Sequence, residues 1–106
     1  MIKYVTVLFR KAGISREEFS SYWKNIHAPI LQQIPGLMGY VQNHALPDPE
    51  ANEPPYDGFG EIYFDSLEAM QVGLASPEGE ATLADIPNFC DTQRLVRVFV
   101  DEVKFV

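Results

Sequence analysis

Ser15-Arg16-Glu17-Glu18-Phe19-Ser20-Ser21-Tyr22-Trp23-Lys24-Asn25-Ile26-His27-Ala28-Pro29-Ile30 is the stretch from which the fold can be read. Ser15 offers a hydroxyl to the free amides of a helix start, Glu18 stands where its carboxylate can answer, and Ile14 and Phe19 flank the cap as a hydrophobic staple. Phe19, Trp23, Ile26 and Ile30 recur at spacings of three and four, which predicts an apolar helical stripe lying on a sheet and running to about Gln33. Pro29 falls inside that helix, where it donates no amide hydrogen and crowds the carbonyl of Asn25. A kink or an unpaired carbonyl is therefore expected within about one turn of His27.

Upstream, Ile2 to Arg10 is β-branched and aromatic on both parities, the pattern of a central strand covered on both faces, and Ala12-Gly13 ends it. Downstream, Pro35-Gly36 marks a turn and Leu37 to Leu46 reads as a second strand, with Tyr40, Gln42 and His44 on one face. Residues 47–56 hold four prolines and three acids, a long polar connection of the kind that carries function or motion. A third strand follows over 57–65, with Phe59, Glu61 and Tyr63 on one parity and Gly60, Ile62 and Phe64 on the other. Asp65-Ser66-Leu67-Glu68 offers a second cap with its reciprocal glutamate and opens a helix through Ala75, and Ser76-Pro77 opens another. Residues 93–106 are again strand-like, most clearly Leu95 to Val100.

Strand, helix, strand, strand, helix, strand closes most simply as an α+β, ferredoxin-like, four-stranded antiparallel sheet with its helices on one face. Residues 1–106 form one such domain. One helical layer cannot cover the apolar side chains on both faces, so pairing with a second copy, face to face, is expected.

Eight basic against fifteen acidic residues give a net charge of −7, a field that repels phosphate backbones and anionic lipid surfaces. No nucleic acid or membrane partner is expected. Cys90 is the lone cysteine and His27 and His44 the only histidines, which excludes an internal disulfide, fits a reducing cytoplasm and leaves no ligand set for structural zinc. No phosphate-cradling loop, dinucleotide fingerprint or serine nucleophile elbow is present, so any reaction is expected to need no cofactor.

The candidate site starts at His27, whose imidazole titrates near neutrality and whose helix is interrupted beside it, the setting of a general acid or base. The plainer reading is a helix histidine stacked on Trp23. Tyr40 can orient a carbonyl or stabilise an enolate-like oxygen, or simply pack with its hydroxyl satisfied. Tyr22, Trp23, Phe59 and Tyr63 are candidate walls for an apolar or aromatic ligand, and His44 shares a strand face with Tyr40. Glu61, in mid-strand, needs a cation such as Arg94 or Arg97, or a polar cavity. Cys90 has no base near it in sequence and reads as inert.

Ser15-Arg16-Glu17-Glu18-Phe19, Tyr22-Trp23, His27-Ala28-Pro29, Pro35-Gly36-Leu37 and Tyr40, with Gly60-Glu61-Ile62-Tyr63-Phe64 and Ser66-Leu67-Glu68-Ala69-Met70 later, resemble the EthD family of dimeric α/β barrel proteins. The resemblance spans essentially the whole chain. It implies a homodimer whose sheets form a barrel, with a cleft between sheet and helices in each subunit, and a connection with ethyl tert-butyl ether degradation as companion to a monooxygenase. In the related methylmuconolactone isomerases the residues matching His27 and Tyr40 lie in the substrate site, while a cysteine of their third strand is missing here, where Ile62 or a neighbour stands. The resemblance thus implies either cofactor-independent proton transfer on a compact carbonyl compound, of isomerase, cyclase or oxygenase type, or an accessory binding role in ether or hydrocarbon degradation.

Overall fold

A computed structural model describes residues 1–50 and 53–106; of the long connection expected over 47–56, residues 51 and 52 lie outside the described residues. Strands β1 (Ile2–Leu8), β2 (Gly39–His44), β3 (Gly58–Phe64) and β4 (Val96–Val100) form one sheet in the order β2-β3-β1-β4, every neighbouring pair antiparallel. The central place expected for β1 is therefore the observed one. Helices α1 (Arg16–Tyr22) and α2 (Ala28–Leu31) follow β1, and α3 (Leu67–Ala75) and α4 (Pro77–Asp85) follow β3.

The first helix begins as its residues dictate. Ser15 Oγ accepts from the Glu18 amide and the Glu18 carboxylate accepts from the Ser15 amide, the reciprocal cap that removes two orphan donors. Ser66 caps α3 through the Ala69 amide, without the returning bond expected from Glu68. Ser76 caps α4 through the Gly79 amide.

Between α1 and α2, Trp23–His27 forms one π-helical turn, and the Ala28 amide reaches back five residues to the Trp23 carbonyl. The wider turn lies directly before Pro29 and absorbs the crowding its ring imposes on the preceding carbonyls. It also corrects the stripe. A π turn takes more residues per revolution, so Ile26 swings outward and is 50% exposed, while Phe19, Trp23, His27, Leu31 and Ile34 are buried in its place.

The helices cover one sheet face. Leu8, Phe19, Trp23, Ile86, Phe89 and Cys90 form one core cluster, and Leu31, Ile34, Ile62, Phe64 and Met70 the other. The last strand ends at Val100, short of the expected 106, and residues 101–106 are exposed and irregular. Among the described residues no helix is long and apolar enough to cross a membrane.

Candidate functional site

Alternation along the strands decides which side chains meet the helices. Tyr40, Ile62, Tyr4 and Phe99 lie side by side in one cross-strand row, and Gln42, Gly60, Thr6 and Arg97 in the next. Gly60 leaves a gap in that second row. Above it lies a cavity of about 60 Å³ lined by Tyr4, Thr6, Ile62, Tyr40, Gly60 and Arg97 from the sheet, and by Trp23, His27, Leu31, Ile86 and Phe89 from the helical layer. That is more than the roughly 15 Å³ a cavity needs to hold a single water. Two of the walls, Leu74 and Leu83, are only partly covered.

His27 is 4% exposed and its Nδ1 lies 2.8 Å from Asp85 Oδ2, itself in a residue 7% exposed. The other carboxylate oxygen of Asp85 accepts from Tyr22 Oη at 2.6 Å and from Asn88 Nδ2 at 2.9 Å. Burial pushes the Asp85 carboxyl up, but the bonds from Tyr22, Asn88 and His27 together hold it below its ordinary value. Burial pulls the His27 imidazole below 6.5, against the raising effect of Asp85. At neutral pH the pair is thus a neutral imidazole donating Nδ1–H to a carboxylate, and the lone pair is left on Nε2. That nitrogen has no hydrogen-bond partner among the described residues, and no unpartnered side-chain atom is sealed off; Nε2 therefore reaches open space, and the cavity is the space His27 lines.

A second relay fixes Tyr40. Gln42 Nε2 donates to the Trp23 carbonyl, on the π turn, at 2.9 Å and to Tyr40 Oη at 2.8 Å. Gln42 Oε1 accepts from His44 Nε2 at 2.8 Å, which leaves His44 Nδ1 to accept from Ser20 Oγ at 3.0 Å. With Gln42 donating to its oxygen, Tyr40 has its own proton to give. Burial raises the phenol above 10.0, outweighing the opposing effects of Gln42 and Trp23, so it stays protonated near neutrality.

The structure brings His27, Tyr40 and Trp23 to one cavity, as their residue types suggest. Tyr22 is behind His27, bonded to Asp85 and stacked on Phe89 at 5.1 Å, and is no cavity wall. His44 is also set back, steadying Gln42. His27 does not stack on Trp23; its ring lies 4.8 Å from Phe89, and Trp23 lies 4.5 Å from His44. Phe59, Glu61 and Tyr63 do not join the site, because their parity turns them to the opposite sheet face. Glu61 meets Lys3 at 2.5 Å and Asn43 at 2.9 Å, rather than Arg94 or Arg97, since Lys3 shares its face and the neighbouring strand. Lys3, followed by Asn43, holds the Glu61 carboxyl below its usual value.

Asp85, Gln42 and Gly60 carry the site and escape sequence reading. Asp85 is 58 residues from His27, and only Asn88, one turn on, hints at a held carboxylate. Among the described residues no three metal-ligating side chains cluster.

The EthD domain profile matches residues 11–93. The chain is 34% identical over 101 residues to a protein named dehydratase UstZ of Ustilaginoidea virens, covering 81% of this chain and 72% of that one. The fold is shared with an ethyl tert-butyl ether D (EthD) family protein of Bacillus halodurans, at TM-score 0.80, 24% identity and coverage of 97% and 100%. It is shared too with a dimeric ferredoxin-like protein of Thermobifida fusca, at TM-score 0.69, 15% identity and coverage of 93% and 88%. With a family profile matching most of its length, this chain belongs to the EthD family.

Proposed function

We propose that this protein binds a compact apolar or aromatic carbonyl compound between sheet and helices and moves a proton at the carbon beside the carbonyl, without a cofactor. One observation carries the reading: His27 has Nδ1 anchored on a buried carboxylate and Nε2 free, in the same cavity as a phenol with a proton to donate. His27 Nε2 takes the proton from the carbon, and Tyr40 Oη donates a hydrogen bond to the oxygen on which charge develops. Asp85 stabilises the imidazolium that forms. Return of the proton to another carbon gives isomerisation; its delivery to a departing hydroxyl on the next carbon gives an alkene and water. The second outcome draws support from the relative named a dehydratase.

The proposal includes a homodimer in the cytoplasm. The outer sheet face carries Val5, Val7, Val41, Val98 and Val100 around the Lys3–Glu61 pair, with Val41 and Val98 well exposed in the single chain. Burying such a face needs a partner, and a neighbour of the same fold is described as dimeric. A cytoplasmic location rests on the single unpaired cysteine.

An accessory binding subunit in ether or hydrocarbon degradation is the rival, and the mostly apolar cavity suits it equally. The deciding experiment is proton–deuterium exchange of enolisable ketones, lactones and hydroxy-carbonyl compounds by NMR, for wild type, His27→Gln and Tyr40→Phe. Exchange or dehydration that falls at least a hundredfold in His27→Gln supports the enzyme. Ligand binding that both proteins share, with no exchange by either, leaves the accessory role.

A further inference from the structure

The chain has four arginines, and three are engaged: Arg10 and Arg16 pair with Asp57, and Arg94 lies over the Phe9 ring at 4.1 Å. Arg97 differs. It lines the cavity, opposite Thr6 at the β4 end of the row that Gly60 opens, is solvent-exposed, and has no carboxylate partner among the described residues. Its charge is felt at the Tyr4 hydroxyl, where burial raises the phenol and Arg97 opposes the rise. In a chain of net charge −7, an open guanidinium at the rim of an apolar cavity is a local reversal of the field, and it presents a planar fork that fits a carboxylate.

We propose that the ligand is a carboxylic acid, with its carboxylate held by Arg97 at the open β4 edge and its carbonyl and acidic carbon directed inward to Tyr40 and His27. This names the substrate class of the cavity described above and rests on that functional reading. A phosphate ester fits less well: one guanidinium, no glycine-rich cradle and an acidic surface suit a single negative charge. Anchoring at the rim lets the uncharged part of the molecule enter the apolar interior while the ionised end keeps its contact with water.

Phenylpyruvate is a suitable probe, being compact, aromatic, enolisable at the carbon next to its ketone and ionised at its carboxylate; its methyl ester removes the charge alone. Exchange of the benzylic hydrogens in deuterated water and calorimetric binding are measured for both compounds with wild type, Arg97→Gln, Arg97→Lys and His27→Gln, each checked for native circular dichroism. The expected result is that wild type binds the acid at least tenfold more tightly than the ester. Arg97→Gln abolishes that preference, raising KM for the acid at least tenfold with kcat nearly unchanged, and Arg97→Lys restores part of it. Equal affinity of wild type for acid and ester, no binding of the acid at millimolar concentration, or an unchanged preference in Arg97→Gln overturns the anchor. Wild-type exchange in His27→Gln, or none in wild type that binds the acid, instead overturns the proton-transfer reading while the binding ratio still judges Arg97.

Discussion

Asp85 Oδ2 lies 2.8 Å from His27 Nδ1, with both residues buried and the second oxygen of the carboxylate held by Tyr22 and Asn88. The bond sets the tautomer. With Nδ1–H committed to Asp85, Nε2 is the only nitrogen of His27 that can take a proton from a ligand in the cavity. Asp85→Asn retains the shape but removes the charge that stabilises the imidazolium and frees the ring to adopt the other tautomer. Proton exchange on a turned-over ligand is expected to fall by about a hundredfold or more, with the imidazole titrating at still lower pH by NMR. Unchanged exchange and an unchanged titration would count against a role for the pair.

Stability falls with acid in two stages. Because burial holds the folded imidazole of His27 below 6.5, the unfolded chain takes up a proton there first, so this contribution is full above the unfolded value and is lost as pH drops below it. His44, lowered by burial and then by Lys24, acts in the same sense. Asp85 and Glu61 have folded values below 3.8 and 4.5, so their contributions are lost only further down, as pH falls through those depressed values. Calorimetric melting between about pH 8 and pH 3 should show both stages, with the first smaller in His27→Gln.

Gly58 and Gly60 separate fold from site. A methyl group on Gly58 would stand 2.5 Å from the Asn43 carbonyl and 2.7 Å from the Trp23 ring, whereas on Gly60 it meets Trp23 at 3.5 Å and Tyr40 at 3.9 Å, ordinary contact. Gly58→Ala should destabilise by about 2 kcal/mol or more in urea titration, through forced movement of strand or indole. Gly60→Ala should melt near wild type and yet weaken ligand binding, because it fills the floor of the cavity.

Association tests the outer face. Val98 pairs with Val5 on that face, so Val98→Lys places a charge where two sheets would meet. Light scattering after size exclusion should give a dimer for wild type and a monomer for the variant at micromolar concentration. A wild-type monomer would remove the dimer from the proposal.

Cys90 is buried, and burial with the nearby Asp57 and Asp85 charges pushes its thiol up to about 12. Alkylation by iodoacetamide at neutral pH should therefore proceed only through unfolding, at a rate that follows denaturant concentration. Rapid labelling of the native protein would show that the Phe19–Phe89 cluster around it opens locally.

Much of this protein is written in short-range patterns. The Ser15–Glu18 cap, the Ser76-Pro77 helix start and the Pro35-Gly36 turn depend on residues within a few positions of each other, and each forms where the sequence places it. Strict alternation in β2 likewise puts Tyr40, Gln42 and His44 on one face before any partner is known. Phe59, Glu61 and Tyr63 are expected at the site and lie instead on the opposite sheet face: alternation keeps the three together, and only packing against the helices decides which parity meets the cavity. Ile26 and His27 differ by one residue on a helix, and the π turn before Pro29, with the packing of Trp23 over Gly58, decided which of them is buried. The carboxylate that orients His27 comes from the end of α4, across 58 residues and a strand crossing. Local backbone preference acts over a turn or two, so the sequence by itself determined the elements and which strand residues share a face; which face is buried, the meeting of His27 with Asp85 and the cavity opened by Gly60 exist only once distant segments share one core.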